Sequence, residues 1–346
     1  MLPLPRLRFA APRSLDEALD ALAAGGPAAR LIAGGTDLVP NLKHGLLDVE
    51  VLIALKRIPG LRGVTRGDDG ALSLGALTSL STIAGDATLG AAYPALARAV
   101  GQIAGPQLRN MGTIGGNLCL DTRCTWYNQT EHWRTALGYC LKRSGTVCHV
   151  VPGGTRCVAA VSSDSAPMIA ALGGAVVLRS AARGERVVAL DSFFVGEGRK
   201  NNVVEPDEIL VEARLPAPLA GHFSGYQKLR PRAAIDFPIL SVAVSGTRAA
   251  DGMLAGARVV VGALGAKPRE VTGVSAIVAG HKPTRELFDA VGETAYKQCR
   301  PLTNIPVDPE WRHEMVPVLV RRAFAQALGL PLGAPVRVPA RGGAPA

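Results

Sequence analysis

Aromatic residues make up only 4% of this 346-residue chain, and no apolar run in it is both long and unbroken. The start, Met1-Leu2-Pro3-Leu4-Pro5-Arg6, is cut by proline and arginine before a signal-peptide core can form. The most apolar long stretch, Val158 to Leu178, carries Ser162, Ser163, Asp164 and Pro167, which makes it a poor membrane span. A cytoplasmic protein with no membrane partner is expected. Lys and Arg outnumber Asp and Glu by 38 to 28, a net charge of +10, yet they form no stripe interleaved with aromatics. Nucleic acid is therefore not an expected partner. The excess fits either a basic solvated surface or a face that docks an acidic partner subunit or electron donor. Also missing are internal repeats, a G-x-G-x-x-G fingerprint and any Cys-x-x-Cys pair.

What is abundant is glycine, 40 residues, and proline, 25, beside 48% hydrophobic residues. That balance describes a loop-rich α/β protein built on small aliphatic side chains, with material for two domains sharing an interface. Ser14-Leu15-Asp16-Glu17 is a capping box, and Leu15, Ala18, Leu19 and Leu22 keep helical spacing, so residues 14–24 are expected as an amphipathic helix. Strands are expected at 29–33, 51–55 and 71–77, a helix at 93–100 and a loop over 105–117. Helix and strand return at 168–172 and 175–178. A Pro/Ala/Gly-rich segment at 216–220 suggests a domain boundary. Beyond it, 239–246 and 257–262 read as paired strands, 284–296 and 310–328 as helices, and the tail from Gly329 as irregular.

Two glycine pairs follow apolar runs and stand beside hydroxyl side chains: Gly34-Gly35-Thr36 and Thr113-Ile114-Gly115-Gly116. Glycine lets backbone N–H groups converge on an anion, and threonine adds a donor. Two such loops could clamp a dinucleotide's phosphates from opposite sides. Glycine pairs also serve as plain tight turns.

Four motifs, in order along the chain, carry a resemblance. They are Ala33-Gly34-Gly35-Thr36-Asp37-Leu38, Asn110-Met111-Gly112-Thr113-Ile114-Gly115-Gly116-Asn117, Ser163-Asp164-Ser165-Ala166-Pro167, and the run from Tyr226-Gln227-Lys228-Leu229-Arg230 to Phe237. Together they resemble the flavin subunits of the xanthine dehydrogenase/carbon monoxide dehydrogenase family of molybdenum hydroxylases, over residues 5–328. The resemblance implies an α+β fold. A PCMH-type FAD-binding domain of two α/β subdomains would span residues 1–217, with an inserted loop at 119–158. A C-terminal domain of antiparallel sheet and helices, of the CO dehydrogenase flavoprotein type, would span 221–328. By the same resemblance, Arg30, Leu31, Ile32, Ala33, Gly34, Gly35, Thr36 and Asp37 would wrap the FAD pyrophosphate together with Thr113, Gly115, Gly116 and Asn117. Asp164 would face the adenosine ribose, Ile103 and Leu210 would flank the isoalloxazine ring, and Lys228 would lie at its polar edge. Taken as residues alone, Leu210 and Lys228 also read as a core leucine and an exposed lysine. Ser165 stands where many relatives carry leucine.

Residues 119–157 break the pattern. They hold five of the six cysteines and little periodicity, so they read as an inserted loop held by something other than a hydrophobic core. Cys124, Cys140, Cys148 and Cys157 follow at intervals of 16, 8 and 9. Four thiolates suit an iron–sulfur cube, one per iron. On spacing alone a zinc site and free thiols stay open, while a disulfide framework is not expected in a reducing compartment. The segment resembles the insertion in one branch of the family, the 4-hydroxybenzoyl-CoA reductase β subunits. The likeness runs through Cys119-Leu120-Asp121-Thr122-Arg123-Cys124, Trp126-Tyr127-Asn128-Gln129 and Gly138-Tyr139-Cys140-Leu141-Lys142. It implies that Cys124, Cys140, Cys148 and Cys157 ligate a 4Fe–4S cluster, with Cys119 and Cys299 as packed thiols and His132 and His149 outside the ligand set. A bacterial aldehyde oxidoreductase with a cluster-bearing flavin subunit is a second likeness, with different cysteine spacing.

The implied activity is electron transfer, with no catalytic residue on this chain. A large molybdopterin subunit and a small subunit with two 2Fe–2S clusters are the implied partners, in a dimer of heterotrimers. In the reductase direction a low-potential donor such as ferredoxin would load the 4Fe–4S cluster. Electrons would then pass through FAD to molybdenum for reductive dehydroxylation of an aromatic acyl-CoA. The competing expectation is an aldehyde oxidoreductase or xanthine dehydrogenase-like hydroxylase whose flavin discharges electrons outward. A scaffold that keeps the fold without a cofactor is the non-redox alternative.

Overall fold

The computed structural model describes residues 2–331, which form three sheets and the helices around them. The first sheet is parallel: β1 (Arg8–Ala10), β2 (Ala29–Ile32) and β3 (Val51–Ala54), in the order β1-β3-β2. Parallel strands of one sheet need crossovers, and the helix Leu15–Gly25 supplies the one from β1 to β2, which lie on either side of β3. Ser14 caps it by accepting the Glu17 N–H at 3.1 Å, while the Glu17 carboxylate takes the N–H of Arg13 at 2.8 Å. Ala18, Leu19 and Leu22 turn inward to share a core with Ala29 and Ile53.

The second sheet contains β4 (Val64–Arg66), β5 (Leu72–Gly75), β6 (Ala175–Ser180), β7 (Gly184–Ala189) and β8 (Glu208–Leu215), ordered β4-β5-β8-β6-β7 and antiparallel throughout. A hundred-residue excursion between β5 and β6 carries several short helices and the cysteine segment. The third sheet, β9 (His222–Leu229), β10 (Leu240–Arg248), β11 (Leu254–Gly262) and β12 (Arg269–Glu270), is an antiparallel meander with Ser241 opposite Gly262. The helices Arg285–Gln298 and Pro309–Leu328 cover one face of it, with Phe288 stacked on Phe324 at 4.7 Å. Its other side joins the core of the second sheet, where Tyr226, Ala243 and Val260 pack with Ile169 and Val176. The α+β architecture expected from the resemblance is the one observed, with a two-part N-terminal half and an antiparallel C-terminal layer.

Residues 105–117 differ from the expected loop. They form two short helices, Pro106–Met111 and Ile114–Leu118. Pro106 opens the first, where its missing N–H has no intrahelical partner to lose. Thr113 caps the second by accepting the Gly116 N–H at 3.1 Å. Glycines, poor helix formers, hide such short turns from a propensity reading. The expected tail beyond Pro331 lies outside the described residues. Among the described residues no helix is long and apolar enough to cross a membrane.

Candidate functional site

A cavity of about 730 Å³ opens between the first sheet, the second sheet and the cysteine segment. Its size suits a small-molecule or cofactor site. One end is built by the turn after β2. Gly35 sits there at φ +70°, a left-handed conformation that favours glycine, and a Cβ on Gly34 would run into the Met111 carbonyl. The turn is thus pressed against the end of the Pro106–Met111 helix. Among the described residues, the backbone N–H groups of Gly34, Gly35, Thr36 and Asp37 have no protein partner. They form a cradle of open donors on the cavity wall.

The second glycine loop is organised differently. The Gly115 N–H donates to the Ala76 carbonyl at 2.9 Å and the Gly116 N–H to Thr113 Oγ1 at 3.1 Å. The second loop leaves fewer N–H groups open than the first, because those of Gly115, Gly116 and Asn117 are taken by Ala76 and Thr113. A Cβ on Gly116 would touch only Thr113 Oγ1, so its open side is cavity.

Every residue expected at the cofactor lines this cavity except Lys228: Arg30 to Asp37, Ile103, Thr113, Gly115, Gly116, Asn117, Asp164 and Leu210. The Lys228 side chain is fully buried beside it, neither an exposed lysine nor part of the lining. It donates to Asp164 Oδ2 at 2.9 Å and to the Gln102 carbonyl at 3.0 Å. Tyr226 donates to Asp164 Oδ1 at 2.6 Å, so both carboxylate oxygens are held from β9. Burial pushes the Asp164 carboxyl up and the Lys228 ammonium down, and each charge pulls the other back. Asn117 accepts hydrogen bonds from the Ser163 and Ser165 hydroxyls at 2.8 and 2.6 Å. Leucine at position 165 could not make that bond, which gives this departure from the family pattern a local reason.

Several lining residues were not singled out from the sequence. Ser162 lines the cavity, and its Oγ is buried and has no hydrogen-bond partner. Arg123 forms an ion pair with Asp37 and lies over the Phe237 ring at 4.5 Å, tying the cradle to the cysteine segment and the loop after β9. Burial lowers its guanidinium to about 10. A serine in an apolar run and an arginine beside a cysteine give no signal that distance in sequence can decode. Cys119, expected as a packed thiol, instead opens into the cavity. The protein atoms around it still exclude enough water to push its thiol up to about 12. Cys299 is packed in the core beneath the third sheet, as expected.

The cysteine segment contributes the cavity wall next to the cradle. Its one helix, Glu131–Ala136, is capped by Thr130, and the rest is turns. Cys124, Cys157 and Cys140 pack around Leu46 and Tyr127, and both Leu46 and Tyr127 also line the cavity. Cys124 lies within electrostatic reach of Cys140, Cys148 and Cys157, and burial pushes its thiol up to about 12. The four thiols are thus brought into one neighbourhood. Among the described residues, no three His, Cys, Asp or Glu side chains converge tightly enough to hold a single metal ion. A tetrahedral zinc site requires such convergence, with sulfurs about 2.3 Å from one ion. His149 hydrogen-bonds the Tyr139 carbonyl at 2.7 Å and lies against Trp126, and His132 is exposed.

Comparison with known proteins agrees with this architecture. Residues 5–218 match the family described as the FAD binding domain in molybdopterin dehydrogenase. Residues 225–327 match the CO dehydrogenase flavoprotein C-terminal domain. The chain is 30% identical over 331 residues to the carbon monoxide dehydrogenase medium chain of Hydrogenophaga pseudoflava, covering 94% of this chain and 98% of that one. It is 31% identical over 231 residues to the aldehyde oxidoreductase FAD-binding subunit PaoB of Escherichia coli, covering 63% and 70%. The solved carbon monoxide dehydrogenase of Hydrogenophaga pseudoflava superposes with a TM-score of 0.77 at 28% identity, over 94% of this chain and 99% of that one. By sequence and by fold, this chain belongs to the FAD-binding subunits of the molybdopterin dehydrogenase (molybdenum hydroxylase) family.

Proposed function

We propose that this chain carries FAD as the electron-transfer subunit of a molybdenum-containing hydroxylase or dehydrogenase. Its partners would be a molybdopterin subunit and a 2Fe–2S subunit, and its flavin would pass electrons outward to an acceptor. The observation that carries the reading is the cradle of open N–H groups at Gly34–Asp37, at one end of a cavity large enough for a dinucleotide. FAD, when bound, exchanges electrons as a pair or singly, which joins substrate oxidation to one-electron carriers.

The chain's own groups fit that cofactor. The open N–H groups would take the pyrophosphate, and the Asp37–Arg123 pair offsets a carboxylate that would otherwise repel it. Asp164, fixed by Tyr226 and Lys228, keeps lone pairs free for a ribose or ribityl hydroxyl. Ile103 and Leu210 would give the ring apolar contact, and the unpartnered Ser162 hydroxyl would gain an acceptor. The outward direction draws support from relatives named as dehydrogenases and oxidoreductases.

One observation favours a second reading. Four thiols gather behind a wall, Leu46 and Tyr127, that they share with the cavity. They would suit a 4Fe–4S cluster that brings electrons in, as in a 4-hydroxybenzoyl-CoA reductase-like complex fed by a carrier such as ferredoxin. Iron, acid-labile sulfide and FAD should be measured on the anaerobically purified complex. Stoichiometric FAD without iron removes the second reading and leaves the first. Stoichiometric FAD with one cluster's worth of iron, followed by a reductive titration that places the cluster below the flavin, turns the direction inward. A protein that purifies without flavin sinks both.

A further inference from the structure

The turn that carries the cradle borders two cavities. A second one, of about 490 Å³, shares the wall residues Ala33, Gly34, Leu77 and Thr113 with the first. Its charged lining is of one sign. Lys56 and Arg62 line it and do not line the first cavity, and among the described residues no carboxylate lines it. Ser79, Thr82 and Asn110 add hydroxyl and amide groups.

Arg62 is fixed in place from both sides. The Leu77 N–H donates to the Leu61 carbonyl at 2.7 Å, the Gly75 N–H to the Gly63 carbonyl at 3.0 Å, and the Gly63 N–H to Thr78 Oγ1 at 2.9 Å. A Cβ on Gly75 would run into the backbone of Leu61 and Arg62, so glycine there lets residues 61–63 lie against the end of β5. The Arg62 guanidinium donates through Nη2 to the Lys56 carbonyl at 2.7 Å, which ties the two cationic residues together. Among the described residues, Arg62 Nε and Nη1, Lys56 Nζ and Asn110 Nδ2 have no protein partner.

A concave site lined by charge of one sign concentrates ions of the other. A held guanidinium offers phosphoryl oxygens a fork of donors, an ammonium adds a point charge, and the hydroxyl and amide groups complete the set. We propose that this second cavity binds a small phosphoryl-bearing anion, of mononucleotide size or less, at a site separate from the cofactor cavity. The proposal uses the FAD reading only for what fills the first cavity.

The test is a calorimetric titration of the purified, flavin-loaded complex at low ionic strength, with inorganic pyrophosphate and separately with ADP, and with FAD quantified throughout. One equivalent of pyrophosphate should bind while FAD stays bound, and its affinity should fall as salt is added. Lys56→Met and Arg62→Met should each weaken it about tenfold or more, and Lys56→Arg should keep it. ADP binding more tightly than pyrophosphate makes the ligand a nucleotide, and ADP binding no more tightly makes it the phosphoanion alone. Absence of saturable pyrophosphate binding overturns the proposal, as does binding that survives both substitutions to methionine. Binding that displaces FAD, or that appears only once FAD is removed, also overturns it, because the site is then the cofactor's own. A complex that purifies without flavin refutes the FAD reading instead. Pyrophosphate titration of native protein beside Lys56→Met then still decides this site, since Lys56 lines the second cavity alone.

Discussion

The two ends of the cavity treat polar groups in opposite ways. At the turn after β2, four backbone donors are left open. At the junction with β9, Asp164 is held by Tyr226 and Lys228, and Lys228 by the Gln102 carbonyl. The open donors line a formed cavity, where a ligand's acceptors could take the place of water. A fully partnered cluster points to fold and orientation first. On the FAD reading, the first end would take the cofactor's charge, while the second holds the Asp164 carboxylate between Tyr226 and Lys228.

Substitutions can break that contrast. The largest effect is expected from Asp164→Ala, which leaves Lys228 buried without its counter-charge and should cost about 3–5 kcal/mol of stability. Chemical denaturation of the apoprotein measures it, and a loss under about 1 kcal/mol would mean the ammonium finds water. Gly34→Ala comes next. Its Cβ meets the Met111 carbonyl, so about 1–3 kcal/mol should be lost together with FAD, read by melting and flavin absorbance. Gly116→Leu should separate the two properties. Its side chain enters open cavity, so apoprotein melting stays near native while FAD affinity drops about tenfold or more, about 1.4 kcal/mol. Native FAD affinity in that variant would place the cofactor away from this loop.

Much of this contrast was legible in the sequence, and the reason differs by element. Helix Leu15–Gly25 announced itself by cap and periodicity, and Ser14 and Leu19 do what those patterns require. The cradle was legible as Gly34-Gly35-Thr36, because a left-handed turn and a close approach both favour glycine. Gly115-Gly116 looked the same in sequence yet opens a short helix, since hydrogen bonding to Ala76 and Thr113 is decided by tertiary position. Lys228 was expected at the flavin's polar edge, with an exposed lysine as the alternative, and the structure buries its side chain against Asp164. Its partner Asp164 lies 64 residues away, and nothing local marks the pair. Ser162 was passed over for the same reason.

The smallest predicted effect discriminates most finely between a donor waiting for a ligand and a donor merely poorly packed. Ser162 Oγ has no protein partner, so Ser162→Ala removes an unsatisfied buried hydroxyl and should leave the apoprotein as stable as before, or up to about 1 kcal/mol more stable. If FAD is what satisfies that hydroxyl, the same change weakens FAD binding by about 1 kcal/mol, roughly fivefold. The two effects have opposite signs, which a simple packing defect cannot produce, since a cavity would lower stability with and without cofactor. Melting of the apoprotein beside an FAD titration reads both. Parallel losses would return Ser162 to the core, and opposed ones would add a side-chain hydroxyl to the backbone cradle.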